Sequence, residues 1–145
     1  AAGINYKLTI SLTKSRLIWM NGPFVAGKNH VTVFKEERLK EKLREAGKRG
    51  IGDGGYNGHW AQLSAPNAHD SKEVKAFKGC ALKRHESFNG YTKAFDCLSG
   101  RFRHSVDRFA TCFEAVCVIC QYQMENGNDL YDIHIEDMVK KYAMV

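Results

Sequence analysis

In residues 5–12 apolar side chains fall on every second position, at Tyr6, Leu8, Ile10 and Leu12, and only an extended strand places such a series on one face. Thr13-Lys14-Ser15 is a short polar turn, and Arg16-Leu17-Ile18-Trp19-Met20 is a second strand. The two make an antiparallel hairpin, which Asn21-Gly22-Pro23 is expected to stop.

The pattern then changes to helix. Asn29 can cap a helix beginning at His30 or Val31, although Val31, Phe34, Leu39 and Leu43 follow a helical stripe only loosely. Residues 35–44 are rich in strong helix formers, and Gly47 closes the segment. Residues 48–52 read as a short buried strand ending at Asp53, after which Gly54-Gly55 and Gly58 keep the chain in turns. Asp70 followed by Glu73 has the form of a capping box, opening a helix expected to reach Glu86. Val74, Phe77, Ala81 and Phe88 would be its buried face. Residues 106–124 form a last helix, apolar enough to be core. Strand, strand, helix, strand, helix is a mixed α/β order, and a length of 145 residues suits one domain over 1–145.

Charge is uneven along this chain of net charge +6. Residues 1–52 carry 11 Lys/Arg against four Glu and no Asp, and residues 71–108 carry nine against four acids. Residues 109–145 carry only Lys140 and Lys141 against six acids. A basic body with an acidic tail suits a polyanion such as nucleic acid, and equally a set of solvated lysine-rich faces. No segment approaches the ~20 apolar residues of a membrane helix. The chain starts at Ala1 without an initiator Met or a signal-peptide pattern, as expected of a piece of something longer. Five cysteines without a secretory signal favour reduced thiols inside the cell.

Two carboxylates stand out: Asp53 at a strand end and Glu86 on a helix. Two-metal nucleases need converging carboxylates to hold divalent ions that activate the attacking oxygen and stabilise the leaving one. Oxygen ligands suit Mg²⁺, which takes only one or two carboxylates per ion. Taken singly, Asp53 also fits a turn before Gly-Gly, and Glu86 a surface carboxylate beside Lys83 or Arg84. Pattern and chemistry alone do not join the two.

A resemblance joins them. Residues 51–58, Ile-Gly-Asp-Gly-Gly-Tyr-Asn-Gly, resemble the segment around the second catalytic aspartate of Harbinger-like DDE transposases. Residues 84–90, Arg-His-Glu-Ser-Phe-Asn-Gly, with Lys93, Phe95 and Arg101-Phe102-Arg103-His104, resemble the segment around their third carboxylate. The 32 residues between Asp53 and Glu86 are close to that family's spacing. Residues 19–24 and 113–116 look familial too, so the similarity spans nearly the whole chain. It implies a partial RNase H-like α/β fold, a mixed sheet with flanking helices that lacks its first strand. It also implies metal-dependent DNA cleavage and strand transfer, with Asp53 and Glu86 as catalytic carboxylates on Mg²⁺ or Mn²⁺. Lys83, Arg84, Lys93, Arg101 and Arg103 would then contact DNA phosphates by charge neutralisation. A nuclear location and a homo-oligomeric full-length protein follow from the same likeness. The family's first aspartate has no counterpart, because residues 1–52 contain no Asp, and His30 stands where the family usually shows Asp. The fragment is therefore expected to be inactive alone, and a non-catalytic DNA-binding remnant is the alternative.

Rival constellations are weaker. The intervals between Cys80, His85, Cys97 and His104 fit no common zinc pattern. Cys117-Val118-Ile119-Cys120 is a CxxC inside an apolar helix, where thiols act as small hydrophobes, whereas a redox pair favours an exposed helix start. Among the aromatic residues, Trp60 in its Gly/His/Asn-rich loop is the one expected to be exposed for base stacking. His69, His85 and His104 could assist proton transfer, which two-metal chemistry does not require.

Overall fold

The computed structural model describes residues 4–25, 38–53 and 62–134. Among these, the elements are β1 (Ile4–Ile10), β2 (Leu17–Val25), α1 (Leu39–Glu45), β3 (Gly50–Ile51), β4 (Leu63–Ser64), α2 (Lys72–Lys93), α3 (Asp96–Ser99) and α4 (Val106–Glu125). They make a mixed α/β chain with two small sheets, β1-β2 and β3-β4. Contacts divide it into two compact units: Ala1–Ile4 with Phe24–Leu82, and Asn5–Pro23 with Lys83–Val145. Helix α2 contributes residues 72–82 to the first unit and 83–93 to the second.

In the first unit, α1 follows Arg38, whose left-handed φ of 56° is not helical, and it ends as expected at Gly47, with φ of 61°. Strand β3 runs parallel to β4, with Gly50 opposite Leu63. A Cβ on Gly50 would lie 2.9 Å from Leu63 Cδ2, so a larger residue there would push the Leu63 side chain aside. Strand β4 is too short to produce a readable alternation. At the start of α2, Ser71 Oγ accepts the Val74 N–H at 3.3 Å and so takes the cap expected of Asp70. The Asp70 carboxylate is engaged elsewhere, accepting from the Asn67 N–H at 2.9 Å and Lys78 Nζ at 2.8 Å. Lys78 is buried and also donates to Ala65 O at 2.7 Å, so both ends of the pair are satisfied.

The second unit holds the larger core. Phe88 and Cys120 are fully buried, joined by Phe113, Val116, Cys117, Met124 and Leu130. Tyr6, Leu8 and Ile10 of β1, the face set by the period-two pattern, pack against this cluster, as do Leu17 and Met20 of β2. The Tyr6 ring stacks on Phe113 with centroids 4.0 Å apart. Strand β2 does not stop at Asn21-Gly22-Pro23 but continues to Val25. Gly22, its peptide to Pro23 cis, lies under the Tyr6 ring, where a Cβ would come within 2.7 Å of Tyr6 Cδ1. Glycine there lets the strand pass closely beneath an aromatic ring. Helix α2 runs beyond Glu86 to Lys93, because Phe88 and Thr92 are buried and prolong its inner face. Helix α4 agrees with expectation to within a residue, its Ser105 cap accepting the Arg108 N–H.

Candidate functional site

Asp53 is exposed two residues beyond the end of β3, in the first unit. Gly52 N–H donates to Ser64 O at 3.2 Å, extending the parallel pairing up to the residue before Asp53 and fixing its main chain. Glu86 is exposed on α2 in the second unit. Their hard oxygen donors suit Mg²⁺ or Mn²⁺ in kind. In number they fall short: among the described residues no group of three His, Cys, Asp or Glu side chains could hold a metal ion. Residues 54–58, Trp60 and the Asn29-His30 cap lie outside the described residues.

The basic residues separate by environment. Arg84 is only 4% exposed. Its Nε donates to Ser11 O at 2.9 Å, and its Nη1 donates to Tyr131 O at 2.6 Å and Leu130 O at 3.4 Å. Burial lowers its pKa from the ordinary arginine value, while Asp132 and Asp129 partly offset that. A phosphate could reach this guanidinium only by displacing the strap at residues 128–134. Arg84 thus holds structure, joined by Ser87 Oγ, which accepts from Tyr131 N, and Tyr91, whose hydroxyl donates to Asp129 O.

Lys83, Lys93, Arg101 and Arg103 are exposed. Lys83 Nζ sits 6.0 Å from the Tyr131 ring centroid, a cation–π approach that leaves its charge toward water. Between α3 and α4 the loop Arg101-Phe102-Arg103-His104 bounds an open cleft of about 450 Å³. Its side chains divide by burial. Phe102 is half-buried, edge-on to Phe109 with centroids 5.1 Å apart and to His104 at 5.5 Å. That anchor keeps the two flanking arginines on the solvent side, where planar guanidinium groups can meet phosphate oxygens bidentately.

The thiols form no metal group among the described residues. Cys117 and Cys120 are buried on one side of α4, and burial pushes the Cys117 thiol up to about 12 and the Cys120 thiol upward as well. The CxxC is core, as its apolar setting implied. His85 packs inward, its Nε2 3.4 Å from Leu8 O and its Nδ1 3.4 Å from Asn89 Nδ2.

Sequence reasoning missed the role of Arg84, since nothing local distinguishes an arginine that will meet carbonyls 46 and 47 residues away. Compared with family models, curated proteins and solved structures, the chain matches none.

Proposed function

We propose that this chain is the DNA-engaging nuclease domain of a DDE transposase of the Harbinger-like kind, built on an RNase H-like frame. The observation that carries the DNA-binding part is the Arg101–Arg103 cleft, two guanidinium groups held outward around a half-buried phenylalanine on a chain of net charge +6. With Lys83 and Lys93 the outward-facing set is four cations, and each phosphate neutralised adds roughly 0.9 to the slope of log K against log salt. Four contacts give a slope of about −3.6, and Arg101→Ala with Arg103→Ala lowers its magnitude by about 1.8. A salt-independent affinity, or a slope unchanged in that double variant, would overturn the assignment. Nuclear residence and oligomerisation of the full-length protein belong to the same proposal.

The nuclease part rests on Asp53 and Glu86 as carboxylates for Mg²⁺ or Mn²⁺, completed by a further ligand. Calorimetric titration with Mn²⁺ should give binding that Asp53→Ala and Glu86→Ala each abolish. A second reading, a DNA-binding remnant without catalysis, is favoured by the absence of a three-ligand group among the described residues. It expects the same salt slope, no metal binding, and indifference of DNA affinity to both carboxylate changes.

A further inference from the structure

Helix α4 and strand β2 leave an apolar groove of about 440 Å³ between them, in the second unit and on surfaces that the reading above does not use. Its walls carry large apolar side chains that a free chain would not be expected to display together: Ile18 is 62% exposed, Val118 69% and Tyr122 68%. On α4, Glu114, Val118, Tyr122 and Glu125 follow one another at intervals of four, four and three, so they form a single stripe along one helix face. The stripe is apolar in the middle and acidic at both ends, and among the described residues no Lys or Arg lines the groove. Eleven residues at 1.5 Å rise place the two glutamates about 16 Å apart along the axis, close to three turns.

Gln121 is already engaged at both ends of its amide. Gln121 Oε1 accepts the Leu17 N–H of β2 at 2.8 Å, and Gln121 Nε2 donates to Glu125 Oε1 at 2.7 Å. An added strand would have to give up that Leu17 bond, whereas a helix needs no main-chain partner from its host. The charge pattern selects the kind of helix: one with an apolar stripe and cations at both ends of it.

We propose that the α4–β2 groove is a docking site for an amphipathic helix of a partner protein, its apolar side chains between α4 and β2 and its terminal Lys or Arg residues on Glu114 and Glu125.

The probe is a synthetic helical peptide with a Leu stripe flanked by lysines eleven positions apart, titrated by fluorescence anisotropy against the full 145-residue chain. Saturable one-to-one binding is expected. It should weaken at least tenfold in Val118→Ser/Tyr122→Ser, whose exposed positions leave the fold intact by circular dichroism. A peptide with glutamates for the lysines should bind at least tenfold more weakly to the unaltered chain and regain affinity for Glu114→Lys/Glu125→Lys. No saturable binding, or affinity indifferent to both double variants, overturns the proposal. So does a concentration-dependent dimer in sedimentation that the Val118→Ser/Tyr122→Ser change dissociates, since the occupant would then be a second copy of the chain.

Discussion

The guanidinium of Arg84 donates to the Tyr131 carbonyl at 2.6 Å, joining the middle of α2 to a segment of extended chain beyond the end of α4. The same side chain also reaches Ser11 O in the β1–β2 connection, so one cation pins two loops. The strap at residues 128–134 has only two buried apolar residues, Leu130 and Ile133, and owes much of its position to these bonds. Hydrogen bonds from a charged donor contribute about 1.5–3 kcal/mol each, and truncating the donor leaves three carbonyls without this partner, that of Leu130 buried. Arg84→Ala should destabilise the chain by about 3 kcal/mol, read as a lower urea midpoint, and speed amide exchange at residues 129–134. If Arg84 served DNA instead, stability and exchange would be unchanged and affinity alone would fall.

The contrast between Arg84 and α4 marks how far sequence reaches. Helix α4 was legible because its run is heavily apolar, and the structure adds a local start that the pattern did not use, Ser105 Oγ accepting the Arg108 N–H. The β1 face was legible for the same reason, an alternation that permits one side in. The start of α2 was misplaced by a residue because Asp70 and Ser71 both suit a cap, and a lysine eight positions on decides between them. The β2 strand continues through Gly22-Pro23, where the pattern of turn residues predicts a stop, and Gly22 there lies against Tyr6 on the other strand. For the candidate site, the basic residues were named through the resemblance, but which of them burial would remove could not be read. Long-range partners settle that, and no pattern within a window of sequence contains them.

Asp70 gives a pH signature. The bond from Lys78, and after it the Asn67 N–H, hold its carboxyl below the ordinary carboxylate range. A folded pKa below the unfolded value means the stabilisation is present above about pH 4 and is lost as pH falls through the folded value. Asp70→Asn should therefore melt lower than the unaltered chain at neutral pH, with the two curves converging in acid. Thermal melts followed by circular dichroism from pH 7 to pH 2 would measure this, and a difference independent of pH would remove Asp70 from the linkage.

The thiols separate by burial. With the Cys117 thiol pushed up to about 12, only about one molecule in ten thousand carries its thiolate at pH 8, and Cys120 is shielded in the same way. Cys97 is exposed. Iodoacetamide on the native chain should label Cys97 readily and leave Cys117 and Cys120 intact until guanidinium is added, as peptide mapping by mass spectrometry would show. Native labelling of Cys117 or Cys120 at the rate of Cys97 would mean that α4 does not bury them.

Tyr6 offers the sharpest test of the second unit's core. Its ring stacks on Phe113, yet its hydroxyl is buried with no hydrogen-bond partner among the described residues. An unmet buried hydroxyl costs about 1–3 kcal/mol, so Tyr6→Phe keeps the stacking and removes the cost; it should raise stability by about 1 kcal/mol. Burial, and then the nearby charge of Glu114, push this phenol up to about 12. The folded pKa is raised above the unfolded value of about 10, so the stabilisation linked to this proton is complete below pH 10 and is lost as pH climbs toward 12. Tyr6→Phe should then resist alkaline unfolding better than the unaltered chain, beyond its gain at neutral pH. Urea midpoints at pH 7 and pH 11 would separate the two effects. A Tyr6→Phe chain less stable at both would show that the hydroxyl has a partner after all.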